Sequence, residues 1–278
     1  MDKYGKGIVV LSSCTGLSVQ SIGDGIPFVW AHGLMSSIQT ENELDWFGWK
    51  DIGGVCRLIR YDARCHGHSQ MSPLSADLTW RALGADMLAV ADAADAHDFI
   101  AGGMSMGCAT AIHAAIQAPD RIKGLMLAMP PMVWETRAAQ RALYQRIAGH
   151  GRSPGDRALD RLMGRDMART LPQWLVDAAP GQSEGLSIGV NALAPGTVPA
   201  LYKAASESDL PPRGAFGALA HIPTLILGWS GDPLHPVSSA QELHRVLPAS
   251  ELHIADSYAA FQTFPAKIRA FIERVAQA

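Results

Sequence analysis

The chain lacks the features of several large protein classes. No apolar run reaches the roughly 18 residues that a membrane-spanning helix needs. The 278 residues include only four cysteines, Cys14, Cys56, Cys65 and Cys108, which are widely spaced and form no C-x-x-C pair. This usage argues against a disulfide framework and against a cysteine-ligated metal site. We therefore expect reduced thiols, a cytoplasmic location and no metal.

Charge is also scarce in this sequence. Charged residues make up 18% of the chain and the formal net charge is −3. Nucleic-acid-binding domains and polybasic membrane anchors carry clustered Lys and Arg, so this composition disfavours both. The 48% of hydrophobic residues is enough for the core of one large domain with an insertion.

Short apolar runs alternate with longer helical patterns, which predicts repeated strand–helix units on a parallel sheet. The predicted strands are Ile8–Ser12, Leu17–Ile22, Pro27–Ala31, Arg57–Tyr61, Phe99–Gly102, Ile122–Ala128, Pro223–Gly228 and Glu251–Ala255. From Met132 to Ala218 the alternation gives way to short helices broken by prolines. We predict a mostly parallel, eight-stranded, doubly wound α/β sheet, with its core in residues 1–131 and 219–278 and a helical cap in residues 132–218.

The most informative motif is Gly103-Met104-Ser105-Met106-Gly107. It follows an apolar run and opens a helical pattern, which is the context of a G-x-S-x-G nucleophile elbow. Small residues allow a sharp turn that exposes the serine hydroxyl at a helix N-terminus, where backbone N–H groups gather. Ser105 is therefore the predicted nucleophile.

Two further loops end predicted parallel strands and should meet Ser105 at the same edge of the sheet. Ala31-His32-Gly33-Leu34-Met35 ends one strand, and we expect the amides of Leu34 and Met106 to form an oxyanion hole. Gly231-Asp232 follows a later strand. Asp232 is the predicted acid, which would orient an imidazole and stabilise its charged form.

With these residues in place, the chain resembles the α/β-hydrolase superfamily over nearly its whole length, and most closely its esterase, enol-lactonase and perhydrolase branch. The resemblance also includes the stretch Arg60-Tyr61-Asp62-Ala63-Arg64-Cys65-His66-Gly67-His68-Ser69, which is similar to a loop that braces the site in that family. Cys65 stands where the family usually has Gly, and an unstrained φ is expected there. The resemblance implies a serine hydrolase that needs no cofactor.

The resemblance also implies a histidine base after the last strand, but no His follows His253. Three alternatives for the general base remain. His253 could act through a shifted loop, although it alternates within a strand. His235, three residues after Asp232, could turn inward instead of lying in solvent or capping a helix. Finally, Tyr258 could occupy the base position with no imidazole present, which would leave a poor proton acceptor.

Apolar side chains of the predicted cap and its border are candidates for the wall of a substrate pocket. They are Met132, Trp134, Met163, Met167, Trp174 and Trp229. Each could equally pack cap helices together. The expected partner is a small to medium, mainly apolar ester or lactone, with no nucleic acid and no membrane, and a homodimer is left open. The rival hypothesis is a ligand-binding or regulatory protein whose hydrolase scaffold has lost its base.

Overall fold

The computed structural model describes residues 9–12, 16–69, 77–150, 171–182, 185–186, 188, 193 and 196–278. Its centre is one eight-stranded sheet, in the order β1-β2-β4-β3-β5-β6-β7-β8. The strands are β1 (Val9–Ser12), β2 (Ser18–Ile22), β3 (Pro27–Ala31), β4 (Arg57–Tyr61), β5 (Phe99–Met104), β6 (Ile122–Ala128), β7 (Thr224–Trp229) and β8 (Ser250–Ala255). Strands β3 to β8 pair in parallel, whereas β1 and β2 are antiparallel. The predicted fold class is confirmed.

Helices connect these strands and cover both faces of the sheet. They are α1 (Ile38–Leu44), α2 (Trp49–Ile52), α3 (Trp80–Ala93), α4 (Met106–Gln117), α5 (Arg137–His150), α6 (Gln173–Ala178), α7 (Thr197–Glu207), α8 (Val237–Val246), α9 (Tyr258–Phe261) and α10 (Phe264–Ala276). Among the described residues, no helix is both long and apolar enough to cross a membrane.

The period of two along each strand divides the core into two layers. Val29 and Ala31 of β3 pack into the layer that contains α3 and α4, whereas Phe28 and Trp30 pack into the layer that contains α10. Both layers are fully buried at these positions, as expected for a parallel sheet covered by helices. The strand ends are therefore held firmly, and β3, β5 and β7 present their carboxyl ends at one edge.

The segment between β6 and β7 contributes helices and no strand within its described residues. Helix α5 packs against α7, with the Tyr144 and Tyr202 rings 5.1 Å apart. The assignment of residues 132–218 as a separate helical cap stays a prediction. The predicted pocket residues Met163 and Met167 lie outside the described residues.

The loop after β4 braces the edge where the site lies. The Asp62 carboxylate accepts hydrogen bonds from the backbone N–H groups of Ile38 and His68, both at 2.8 Å. A Cβ atom on Gly67 would lie 2.3 Å from this carboxylate, so only glycine allows the loop to wrap around it. The conformation of Cys65 differs from the expectation, because its φ of +64° lies in the left-handed region that favours glycine.

Two buried histidines in this region hold the β3–α1 loop. His32 Nδ1–H donates to the Gly33 carbonyl at 2.7 Å, and His32 Nε2 accepts from Ala63 N–H at 2.9 Å. His66 Nε2 accepts from Met35 N–H at 3.1 Å. Each ring uses one nitrogen as an acceptor, so both imidazoles are neutral.

Burial lowers the pKa of His32. Burial also lowers the pKa of His66 to about 3, because a second positive charge beside the His32 ring is unfavourable as well. The unfolded chain takes up protons near pH 6.5, where the folded protein does not. The free energy of unfolding should therefore fall as the pH drops from 6.5 toward 3, by up to about 1.4 kcal/mol per pH unit from His66. His32 changes the free energy of unfolding in the same direction below pH 6.5. His66→Gln should remove its share of this slope, as measured by urea unfolding between pH 7.5 and pH 4.5.

His221 supplies the control for this experiment, because it is exposed. His221→Gln should leave the slope of unfolding free energy against pH unchanged. An identical slope in wild type and His66→Gln would contradict the neutral, buried state of His66.

Candidate active site

Ser105 lies at a strained turn between β5 and α4. Its φ of 55° and ψ of −111° are unfavourable for a non-glycine residue and cost roughly 1–3 kcal/mol. A Cβ atom on Gly103 would lie 2.3 Å from the backbone of Gly107, and one on Gly107 would lie 2.0 Å from the carbonyl oxygen of Ala31. Both glycines are therefore required by close backbone contacts, which force the turn and leave the Ser105 side chain only half-buried.

A hydrogen-bond chain connects Ser105 to the loop after β7. His235 Nε2 lies 2.8 Å from Ser105 Oγ, and His235 Nδ1 lies 2.7 Å from Asp232 Oδ2. Because Nδ1–H donates to the carboxylate, Nε2 is the acceptor for the Ser105 hydroxyl proton. The three residues have the geometry of a nucleophile, a base and an orienting acid.

The Asp232 carboxylate is held as an anion by several donors. Oδ2 also accepts from Trp229 Nε1–H at 2.8 Å, and Oδ1 accepts from Leu234 N–H at 2.7 Å. Burial acts to raise the pKa of Asp232, but the charge and hydrogen bond of His235 and these donors outweigh it and lower the pKa. The side chain is 1% exposed, whereas that of His235 is 18% exposed. The imidazole can thus meet a ligand while its partner stays shielded.

The sequence predicts an oxyanion hole from the backbone amides of Leu34 and Met106, and the hydrogen bonds of the loop show which amides are free. Met106 follows Ser105 as the first residue of α4, where an N–H has no partner within the helix. The neighbouring Met35 N–H is occupied by His66. Within the described residues, neither the Leu34 nor the Met106 amide donates a hydrogen bond to another protein group. Both amides are therefore available to an anionic oxygen.

A cavity of about 110 Å³ opens beside Ser105. Its wall is mostly apolar, and Asp232 and His235 supply its charged or chargeable groups. The segment between β6 and β7 contributes Tyr144, Leu171, Leu186 and Tyr202, and the remaining lining includes Leu34, Ser36, Thr40, Trp46, Met104, Met129 and Trp229. Of the predicted pocket residues, Trp229 borders the cavity. Trp134 instead packs on Phe216, with the ring centres 5.6 Å apart.

Of the three alternatives for the base, the structure brings His235 to Ser105 and leaves Tyr258 and His253 away from it. Tyr258 begins α9, and its ring lies 6.4 Å from that of Phe261. It borders a different cavity of about 250 Å³. His253 lies within β8, with Nε2 3.8 Å from Glu251 Oε2. Only two residues separate β8 from α9. This short connection does not bring either side chain to Ser105.

His235 reaches Ser105 because its loop is short and closely held. The side chain of Trp174 donates to the Ser230 carbonyl at 3.1 Å, and Gln140 Nε2 donates to the Leu234 carbonyl at 3.2 Å. The sequence left His235 among the alternatives and indicated Trp174 only as a candidate for the pocket wall, and it gave no sign of the role of Gln140. The relevant signal was the proline on each side of the Leu234-His235 pair, which restricts the loop backbone.

In the described part of the chain, no group of three or more His, Cys, Asp or Glu side chains could hold a metal ion. The groups that meet at the site are the Ser105 hydroxyl, the His235 imidazole and the Asp232 carboxylate.

Comparison with solved structures shows the same architecture in several hydrolases. A hydrolase from Pseudomonas aeruginosa PA01 is 20% identical, with 99% of this chain and 100% of that chain covered and a TM-score of 0.75. A thermophilic esterase from Thermogutta terrifontis is 20% identical over 97% and 98% of the two chains, with a TM-score of 0.77. The enol-lactonase from Burkholderia xenovorans LB400 is 18% identical over 98% of each chain, with a TM-score of 0.73.

No curated protein matches this chain in a sequence comparison. The model of the alpha/beta hydrolase family, by contrast, matches residues 28–266. That match includes the turn at Ser105, the loop after β3 and the loop after β7. The chain therefore belongs to the alpha/beta hydrolase family.

Proposed function

We propose that this protein is a serine hydrolase that cleaves carboxylic esters or lactones through an acyl-enzyme. The observation that carries the proposal is the hydrogen-bond chain from Ser105 Oγ through His235 to Asp232, with distances of 2.8 Å and 2.7 Å. Family membership and the fold shared with an esterase and an enol-lactonase support the same reaction class.

In the first half of the reaction, Ser105 Oγ attacks the substrate carbonyl carbon while its proton moves to His235 Nε2. The carbonyl oxygen becomes an anion, which the Leu34 and Met106 N–H groups stabilise. The Asp232 carboxylate stabilises the imidazolium through Nδ1–H. His235 then donates the proton to the departing alkoxide, and an acyl group remains on Ser105.

In the second half, His235 removes a proton from water, which attacks the acyl carbon. Collapse of the second tetrahedral intermediate returns the proton to Ser105 Oγ and releases the acid. For a lactone, the alcohol stays attached to the acyl group throughout, so the product is a hydroxy acid. Every proton transfer uses the same nitrogen, Nε2.

The size of the cavity limits the part of the substrate that it can enclose. A cavity of 150 Å³ holds benzene, so the 110 Å³ beside Ser105 encloses a group of about five non-hydrogen atoms. Its apolar wall favours short, uncharged groups. We therefore propose small esters or lactones as substrates.

A ligand-binding protein on a hydrolase scaffold was the rival hypothesis. It rested on the missing histidine after β8. The hydrogen bond between His235 and Ser105 supplies an imidazole from another loop and removes that ground.

Variants of the proposed triad test the reaction directly. We expect Ser105→Ala and His235→Gln to lower kcat for p-nitrophenyl butyrate by roughly 10⁴-fold or more, because the nucleophile and its base act as one unit. Tyr258→Phe and His253→Gln serve as matched controls and should stay within about twofold of wild type. Unchanged turnover by His235→Gln, or by Ser105→Ala, would contradict the proposal.

The acid has a separate test. Asp232→Asn keeps the shape of the side chain, but its amide group favours the wrong histidine tautomer, so kcat should fall by about 10³–10⁴-fold. Asp256→Asn is the control, because Asp256 is exposed just after β8. Steady-state kinetics and thermal unfolding of both variants would separate a catalytic loss from a folding defect. Full activity of folded Asp232→Asn would show that the carboxylate is not needed.

A further inference from the structure

One serine on the cavity wall has a buried hydroxyl with no partner. Ser36 is 6% exposed, and within the described residues its Oγ makes no hydrogen bond. It borders the same cavity as Ser105 and His235. A buried hydroxyl without a partner is unfavourable, because it has lost its hydrogen bonds to water.

Other buried side chains also carry a polar atom with no hydrogen-bond partner, but they lie elsewhere. They include Glu41, Asp45, Trp49, Tyr61, Trp80 and Ser239, and none of these borders the cavity beside Ser105. Thr40 does border it, but Thr40 Oγ1 lies 3.1 Å from Ser37 Oγ and is already hydrogen-bonded. The unmet hydrogen-bonding capacity of Ser36 is thus located where a substrate would lie.

The backbone of Ser36 is fixed. Its N–H donates to the Gly33 carbonyl at 3.1 Å, which closes the turn that carries the Leu34 amide. Met35 N–H is held by His66 in the same turn. A polar group on such a turn needs little rearrangement to meet a ligand.

We propose that Ser36 is a specificity-determining residue whose hydroxyl binds an uncharged polar group of the substrate. The substrate class is an ester or lactone with a hydroxyl, carbonyl or amide group near the reacting carbonyl. A serine hydroxyl can both donate and accept, and the mostly apolar wall around it disfavours a full charge. This inference rests on the proposed hydrolase function and narrows its substrates.

Paired substrates test the inference. The first pair is ethyl butyrate and ethyl 3-hydroxybutyrate, which carries a hydroxyl on the acyl group. The second pair is butyl acetate and 3-hydroxybutyl acetate, which carries a hydroxyl on the alcohol group. Wild type should prefer the hydroxylated ester in at least one pair. The preference is the kcat/KM of the hydroxylated ester divided by the kcat/KM of its unsubstituted partner. In Ser36→Ala this ratio should fall by about fivefold to tenfold, which corresponds to the free energy of one hydrogen bond.

Ser239→Ala is the matched control, because Ser239 is also buried with an unpartnered hydroxyl but lies in α8, away from the cavity. Both variants remove an unsatisfied group, so neither should lower Tm. Only Ser36→Ala should change the substrate ratio.

Three outcomes would overturn the inference. They are an unchanged ratio in Ser36→Ala, an equal loss on both members of each pair, and a clear drop in Tm, which would reveal an internal partner for the hydroxyl. Failure of the proposed function looks different. In that case wild type would hydrolyse none of the four esters, and the role of Ser36 would fall with it.

Discussion

The 2.8 Å contact between His235 Nε2 and Ser105 Oγ is the interaction on which the proposed chemistry of this protein depends. It joins two loops that are 130 residues apart in sequence, and each loop is fixed by a different constraint. The turn at Ser105 is set by Gly103 and Gly107, whose close backbone contacts leave no room for a side chain. The position of His235 is set by Asp232, which binds both its ring and its backbone N–H. Together they place a basic nitrogen against a protruding hydroxyl.

Because the proposed acid and base lie on one loop, the rest of the molecule must hold that loop in place. The segment between β6 and β7 holds that loop at both ends, through Trp174 at Ser230 and Gln140 at Leu234. Gln140 is itself bound by the buried guanidinium of Arg137. The same segment supplies Tyr144 and Tyr202 to the cavity wall. The helices of this segment thus contact both the cavity beside Ser105 and the loop that carries His235.

Most of the fold could be predicted from sequence, because apolar periodicity and turn residues are local signals. The strands from Pro27–Ala31 to Ile122–Ala128 match the structure within two residues, and Ser105 and Asp232 lie together as their positions after parallel strands predicted. The base could not be fixed in this way. Whether His235 faces solvent or Ser105 depends on contacts from Trp174 and Gln140, which are distant in sequence. The sequence around each of these two residues looks like that of any packed helix, so it does not predict the contact. The conformation of Cys65, with its φ of +64°, also depends on tertiary contacts that override local preference.

The most direct test of the central claim is site mapping with a fluorophosphonate, which reacts much faster with an activated serine than with an ordinary one. After labelling, digestion and mass spectrometry, wild type should carry one adduct, on Ser105. The rate of labelling should fall sharply in His235→Gln and remain normal in Tyr258→Phe. An adduct on another serine, or equally fast labelling of Ser105 without His235, would contradict the assignment of this pair as nucleophile and base.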